Sequence, residues 1–103
     1  MNFHNQRKIE RLQAGETIIS REKGNSMSRT IKSGQPVRIA PIKSLDDIQV
    51  GDIVFARFGH QCYTHKVWAK GDKGCLIGNQ TKPSNGWTTN VYGKVVDVLP
   101  MNT

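Results

Sequence analysis

Ser26 is the residue whose surroundings most suggest chemistry. It lies in the stretch "KGNSMSRTIKSGQPV", residues 23–37, where Gly, Asn and Ser predict tight turns between two basic runs. A serine on such a turn acts as a nucleophile only when a base within hydrogen-bond reach accepts its proton. The alternative is a surface loop whose serine bonds its own backbone. The choice depends on which bases the rest of the chain supplies.

The candidate bases for Ser26 are the three histidines and the lysines. His4 lies close to the N-terminus and His60 in a predicted hairpin tip, so solvent should surround both. His65 lies within the strand-like run "QCYTHKVWA". A histidine needs only a small pKa shift to act as a base near neutral pH, whereas a lysine needs a large one. His65 is therefore the predicted base, although a histidine in a strand is more often structural than catalytic.

The pairing of this strand predicts where His65 points. A two-residue turn at Gly59-His60 would place His65 opposite Val54 in an antiparallel hairpin. Side chains alternate along a strand, so Lys66 would point to the opposite face. Only one of these two adjacent bases can therefore face a site.

Length and charge narrow the class of protein. The 103 residues, 36% hydrophobic and 22% charged, fit a single domain with one modest core. The formal net charge of +7 favours anionic partners and predicts non-specific adherence to nucleic acid. Aromatic residues do not alternate with the basic ones, which argues against a stacking platform for specific recognition of nucleic acid.

No apolar run is long enough to cross a bilayer, and the N-terminus does not resemble a secretory signal. A cytoplasmic protein without membrane contact is therefore predicted.

The two cysteines do not indicate a metal site. Cys62 and Cys75 fit no C-x-x-C spacing, and the histidines do not cluster with them. Both lie in strand-like stretches, so two reduced thiols at half-buried positions are expected. No metal and no cofactor are predicted.

The order of turn residues predicts a mainly β fold, a compact and coiled antiparallel β-domain with one short N-terminal helix. The stretch "HNQRKIERLQAG" predicts a helix capped by Asn5 and ended by Gly15, with Ile9 and Leu12 on one face. From Glu16 onwards, short runs rich in β-branched and aromatic residues are separated by Gly, Pro, Asn or Asp.

The same pattern predicts a second hairpin, one long loop and the bounds of the domain. A second hairpin is predicted to turn between Gly71 and Gly74. The stretch "NQTKPSNGWTTN" predicts one long loop, anchored to the core by Trp87. The predicted organisation is an N-terminal helical arm at residues 1–15, a β-domain at 16–99 and a tail at 100–103.

Several sequence elements occur in the order found in a known superfamily. They are "GNSM" at 24–27, "IKSGQPVRI" at 31–39, "VGDIVFARF" at 50–58, "YTHKV" at 63–67, "IGNQ" at 77–80 and "VYGKVVDV" at 91–98. Together they resemble the superfamily of signal peptidases and LexA-type self-cleaving repressors. The combination "IGN…NGW…VYGKV" is similar to small stand-alone members from phage and bacterial genomes. The resemblance covers about residues 16–99.

The resemblance implies a signal-peptidase/LexA-like β-domain with a Ser-His dyad. Ser26 matches the nucleophile and His65 the general base, and the backbone N–H groups of Asn25 and Ser26 match the oxyanion donors. Asn79 matches the position from which histidine-type members orient the base with an aspartate. The implied activity is that of a soluble serine endopeptidase that cuts a polypeptide, either itself or a partner protein.

Departures from the superfamily pattern leave a second interpretation open. Arg29 stands where many relatives have proline, Asn79 stands in place of the aspartate, and no membrane anchor is expected. The alternative is a catalytically inactive, peptidase-like β-domain that serves as a phage-encoded structural or interaction protein and adheres to nucleic acid by its basic charge. The distance between Ser26 and His65 separates the two interpretations. The oligomeric state is left open.

Overall fold

The computed structural model describes residues 2–24, 27 and 30–102. This part of the chain forms one α-helix, one short 3-10 helix and seven strands. Their bounds are α1 Phe3–Gln13, β1 Ile18–Arg21, β2 Pro36–Pro41, the 3-10 helix Leu45–Asp47, β3 Ile53–Phe58, β4 Gln61–Gly71, β5 Gly74–Gly78, β6 Gly86–Thr88 and β7 Val91–Val98.

One sheet contains all seven strands, in the spatial order β1-β2-β7-β3-β4-β5-β6. Every neighbouring pair in it is antiparallel. The prediction of a mainly β, antiparallel domain with one short N-terminal helix is therefore confirmed. Across the described ranges, no helix combines the length and the apolar character that a bilayer crossing needs.

Both faces of the central strand β3 are buried. Phe55 packs with Ile9 and Leu12 of α1 on one face, while Val54 and Ala56 pack on the other. We call these two groups of buried side chains the helix-side core and the far-side core. The helix-side core comprises Ile9, Leu12, Ile18, Met27, Ile31, Val37, Ile39 and Phe55. The far-side core comprises Ile48, Val54, Ala56, Val67, Cys75, Ile77 and Val91.

The β3–β4 hairpin has the predicted register. Phe58 pairs with Gln61 across the turn, and Val54 pairs with His65. Gly59 has a φ of +59°, which a turn of this kind requires and glycine adopts without strain. Because facing residues of an antiparallel pair share a face, His65 lies on the side of the far-side core and Thr64, opposite Phe55, on the side of the helix-side core. The second hairpin also turns as predicted, with Gly71 paired to Gly74.

Helix α1 begins earlier than its predicted cap. Asn2 is the N-cap, and its side-chain oxygen accepts a hydrogen bond of 2.9 Å from the backbone N–H of Asn5. The prediction that Asn5 caps the helix is wrong, because Asn5 already lies in the first turn and donates to the cap. Ile9 and Leu12 are buried, as their spacing predicts.

Gly93 allows α1 to lie close to β7. A Cβ at this position would be 2.7 Å from the carbonyl oxygen of Ala40 and 3.1 Å from Leu12 Cδ2. Any side chain would therefore separate the helix from the sheet. Glycine is therefore required at position 93, in the "VYGKV" stretch, for α1 to pack closely against the sheet.

The predicted long loop after β5 is shorter than expected, because residues 86–88 form strand β6 on β5. Trp87 pairs across from Leu76 and is 42% exposed, with its ring against Gly71. The prediction that Trp87 anchors the loop in the core is wrong, since an edge strand leaves its ring largely outside. The indole N–H of Trp68 holds the loop instead, by donating to the carbonyl oxygen of Asn79 at 3.0 Å.

Candidate active site

The predicted nucleophile Ser26 and its neighbour Asn25 lie outside the described residues. The residues on either side of them are well tied to the fold. The Gly24 N–H donates to Ser33 Oγ at 3.1 Å, and Met27 is buried in the helix-side core. Gly24 has a φ of +113°, a conformation that favours glycine.

These flanking residues lie beside β4. Gly24 and Met27 line a small cavity together with Glu22 and Thr64. Thr64 directly precedes His65 on β4. The segment on both sides of the predicted nucleophile therefore approaches β4 on the side of the helix-side core, which is the face of Thr64, whereas the side chain of His65 lies on the opposite face of the strand.

His65 is buried and contacts an asparagine. Its Nδ1 is 2.6 Å from Asn85 Oδ1. An amide oxygen only accepts hydrogen bonds, so this contact requires the proton on Nδ1. In the neutral ring Nε2 then holds the lone pair that takes up a proton. The contact therefore sets His65 in the tautomer that a general base acting through Nε2 needs.

Asn79 does not occupy the position predicted for it. Its side-chain oxygen accepts hydrogen bonds from the Thr81 N–H and hydroxyl, both at 2.8 Å, and from the Lys82 N–H at 3.0 Å. That oxygen is thus committed to its own turn. Asn85, at the other end of the same loop, contacts the ring of His65. The sequence did not predict the contact between Asn85 and His65. The pair Asn85-Gly86 is typical of an ordinary turn, in which the asparagine is chosen for its backbone conformation and not for a side-chain contact.

Lys66 points away from His65, as the alternation predicts. Its Nζ lies 4.5 Å from the centroid of the Trp68 ring, on the opposite side of β4. On the face of His65 the nearest aromatic side chain of β4 is Tyr63, whose ring centroid is 5.1 Å from that of the imidazole. By the same alternation Lys66 lies on the face of Thr64, the face that Gly24 and Met27 approach, and His65 lies on the other.

Glu22 is a further polar residue of the site that the sequence did not reveal. Its Oε1 accepts hydrogen bonds from Ser20 Oγ at 2.8 Å and Thr64 Oγ1 at 2.9 Å. Lys8 Nζ of α1 lies 3.7 Å from the same oxygen. Glu22 therefore joins α1, β1 and β4. Beside this network lies a cleft of about 340 Å³, lined by Glu22, Lys23, Cys62, Tyr63, Thr64 and His65.

The thiols in this region are not activated. Burial raises the pKa of the Cys62 thiol, and it raises that of Cys75 in the far-side core. A thiol with a raised pKa is neutral and a poor nucleophile near neutral pH. Both cysteines are free, and among the described residues no group of three or more His, Cys, Asp or Glu side chains could hold a metal ion.

A larger cleft, of about 710 Å³, lies elsewhere in the described part of the molecule. It is bounded by the end of α1, by Pro41 to Lys43 after β2, and by Thr89 to Tyr92 at the start of β7. No histidine, cysteine or carboxylate lines it. This cleft contains no imidazole that could act as a base as His65 could. Its larger volume is therefore no reason to prefer it as the site of acid–base chemistry.

Comparison of the sequence with protein-family models and with curated proteins finds no match in either set. The case for a function therefore rests on the side chains around His65 and on the sequence elements that surround them.

Proposed function

We propose that this protein is a serine peptidase, related to signal peptidases and LexA-type repressors, with Ser26 as nucleophile and His65 as general base. The observation that supports it most is the contact between Nδ1 of the buried His65 and Asn85 Oδ1. A buried imidazole whose tautomer is fixed by an acceptor on Nδ1 is the arrangement that serine and cysteine peptidases use to activate a nucleophile. The substrate class that we propose is a polypeptide, either this chain or a partner.

The chemistry proceeds in two halves. Nε2 of His65 takes the Ser26 hydroxyl proton while Oγ attacks the carbonyl carbon of the peptide bond. The resulting oxyanion accepts hydrogen bonds from the backbone N–H groups of Asn25 and Ser26. His65 then returns the proton to the leaving amine, and water hydrolyses the acyl ester by the same route in reverse.

Asn85 has a defined but limited part in this scheme. Its amide oxygen holds the ring in one tautomer and orientation. A neutral amide stabilises the imidazolium less than a carboxylate does, because it carries only a dipole at that position. We therefore propose a slow peptidase, in which replacing Asn85 by aspartate raises the rate of acylation.

A fluorophosphonate ester tests the proposal, since it phosphorylates an activated serine Oγ with loss of fluoride. Intact-mass analysis should show one adduct per chain, and peptide mapping should place it on Ser26. Ser26→Ala should abolish labelling, and His65→Gln should slow it by about 10²–10⁴-fold, the usual contribution of a general base. His60→Gln is the matched control, because His60 is exposed at a hairpin turn and should leave the rate unchanged. Equal labelling of wild type and His65→Gln contradicts the assignment of the base.

A second candidate is a non-catalytic domain that binds nucleic acid through its charge. It is favoured by 15 Lys and Arg against 8 Asp and Glu, with three ion pairs among the described residues. If it holds, no adduct forms, and binding to a labelled DNA duplex falls steeply between about 50 and 200 mM salt. A labelled Ser26 with weak DNA binding excludes it.

A further inference from the structure

The loop that carries Asn85, residues 79–85, is tied where it leaves the sheet and where it returns. It leaves β5 at Gly78 and crosses directly over it. A Cβ on Gly78 would overlap the carbonyl oxygen of Lys82, Pro83 Cα and the backbone nitrogen of Ser84. At the return, the Asn85 N–H donates to the Ile77 carbonyl oxygen at 2.9 Å.

The first half of the loop is a self-contained turn. Asn79 accepts hydrogen bonds from Thr81 and Lys82 through its side-chain oxygen. The Asn79 N–H donates to Ser84 Oγ at 3.2 Å, and the Ser84 N–H donates to the Lys82 carbonyl oxygen at 2.9 Å. These short-range bonds make the turn move as one unit, so a contact at Asn79 affects the position of Ser84 and Asn85.

Trp68 holds this unit from β4, the strand that also carries His65. Its indole N–H donates to the Asn79 carbonyl oxygen at 3.0 Å. Trp68 lies at an irregularity where the pairing of β4 with β5 shifts between Val67 and Ala69. Such a bulge re-aims side chains relative to a regular strand. The Lys66 Nζ over the ring, at 4.5 Å, adds a cation–π contact that fixes the indole plane.

We infer that Trp68 is a positioning residue for His65, acting through the loop at residues 79–85. The two side chains come from one strand, and the loop bridges them: Trp68 binds its beginning and His65 contacts its end. A hydrogen bond of 2.6 Å weakens steeply once its partners separate by about 1 Å. Fixing Asn79 therefore keeps Asn85 Oδ1 on Nδ1 and keeps the imidazole in the Nδ1–H tautomer. Only the catalytic consequence of this role rests on the proposed function.

The tautomer of His65 is the direct readout. Two-bond ¹⁵N–¹H correlation spectra at mildly alkaline pH should show a protonated Nδ1 and an unprotonated Nε2 in the Ser26→Ala protein. Adding Trp68→Phe removes the indole donor and should convert this pattern to a mixture of tautomers. Adding Trp87→Phe should change nothing, since Trp87 is a partly exposed tryptophan on β6. An unchanged pattern in the Trp68→Phe protein overturns the inference, as does an Nε2–H ring before any change at Trp68.

A second variant covers the case in which Trp68→Phe fails to fold. Trp68→benzothienylalanine keeps the bicyclic ring and its packing and replaces only the N–H by sulfur. The same loss of the Nδ1–H pattern is expected, and its persistence overturns the inference. Because these spectra need no reaction, they decide the role of Trp68 even if fluorophosphonate labelling shows that the proposed function is wrong. If Ser26 is labelled, Trp68→Phe and Asn85→Ala should slow the reaction, and the double variant should be no slower than Asn85→Ala alone.

Discussion

Two loops of this sheet, residues 42–52 between β2 and β3 and residues 79–85 between β5 and β6, are held by different kinds of contact. The first is tied at its middle by long cationic side chains, and where it enters β3 by two backbone hydrogen bonds of 2.8 Å that join Gly51 and Asp52 to Val67. Lys70 Nζ donates to the carbonyl oxygens of Leu45 and Ile48 at 2.8 and 2.6 Å, and Lys94 Nζ donates to that of Asp47 at 3.1 Å. The second is tied by the close crossing over Gly78 and by the indole N–H of Trp68.

The difference corresponds to what each loop has to position. A lysine stem has four rotatable bonds, so its ammonium group follows a carbonyl that moves. A backbone crossing with no room for a Cβ has no such freedom, and an indole fixed by packing has little. The lysine ties hold carbonyl groups of the first loop at Leu45, Asp47 and Ile48, whereas the second loop carries Asn85, whose side chain contacts His65. Of the two loops, the one that crosses closely over a glycine is the one that carries the side chain in contact with His65.

The largest effect is expected from Gly78→Ala. The added methyl group overlaps backbone atoms of Lys82, Pro83 and Ser84, which cannot rotate away as a side chain can. We expect the free energy of unfolding to fall by about 3 kcal/mol, at the upper end for overpacking, measured by urea denaturation. The matched control is Gly51→Ala in the other loop, where φ is +98° and the Cβ meets no atom within 4 Å. Its cost should be limited to backbone strain of about 1–2 kcal/mol. Equal losses in the two variants would remove the contrast between the loops.

A smaller effect is expected from Lys70→Met. This change keeps most of the apolar stem and removes the ammonium donor from the Leu45 and Ile48 carbonyl oxygens. Water can replace part of the lost bonding because the head group is exposed, so the loss should be about 1 kcal/mol. Lys73→Met, at the exposed tip of the neighbouring hairpin, is the control and should cost nothing measurable. The ¹⁵N pattern of His65 should stay the same in both variants. A changed pattern in Lys70→Met would mean that the loop at residues 42–52 also positions the site.

The smallest effect concerns pH and Asp47. Hydrogen bonds from the backbone N–H groups of Lys43 and then Ser44 lower the pKa of this carboxyl below its ordinary value of 3.8. A pKa lowered in the folded state means that the carboxylate stabilises the fold above that ordinary value, and that this stability is lost as pH falls through the folded pKa. Asp47→Asn should therefore be less stable than wild type near neutral pH, and the difference should shrink below about pH 3.8.

Urea denaturation at a series of pH values measures this difference. Asp46→Asn, at the adjacent exposed position, is the matched control for the removal of a surface carboxylate from the same turn. The prediction is contradicted if the difference in free energy of unfolding between wild type and Asp47→Asn stays constant down to the lowest pH. That result would mean that the charge of the Asp47 carboxylate does not contribute to stability.

The parts of the fold that the sequence predicted are those governed by local rules. The Gly59-His60 turn sets the register of β3 and β4, and with it the faces of His65 and Lys66. The strand β6 was missed because three residues between two turn signals carry too little periodicity to be distinguished from a loop. The helix cap was misplaced because Asn2 and Asn5 have the same capping chemistry, so the residue type alone does not decide between them.

The candidate site was predictable only in part, for a similar reason. His65 follows from strand alternation and from its neighbours in sequence. Its partner Asn85 is 20 residues away and reaches it through a loop whose path depends on Gly78 and Trp68. No local pattern encodes that path. The resemblance pointed to Asn79, whereas the asparagine that contacts His65 is Asn85, at the other end of the same loop.

The place of β7 in the sheet has a consequence for how the protein is made. β7 lies between β2 and β3, so in the described part of the chain the two halves of the sheet join through the strand that is synthesised after the other six. Helix α1, which is synthesised before all seven strands, packs on β7 beside Gly93. Until residues 91–98 emerge from the exit tunnel, α1 has an incomplete docking surface, and β2 and β3 each present an open edge to other chains. The sheet therefore closes only after β7 has been synthesised, and a chain that stalls before that point exposes two open strand edges to chaperones and proteases.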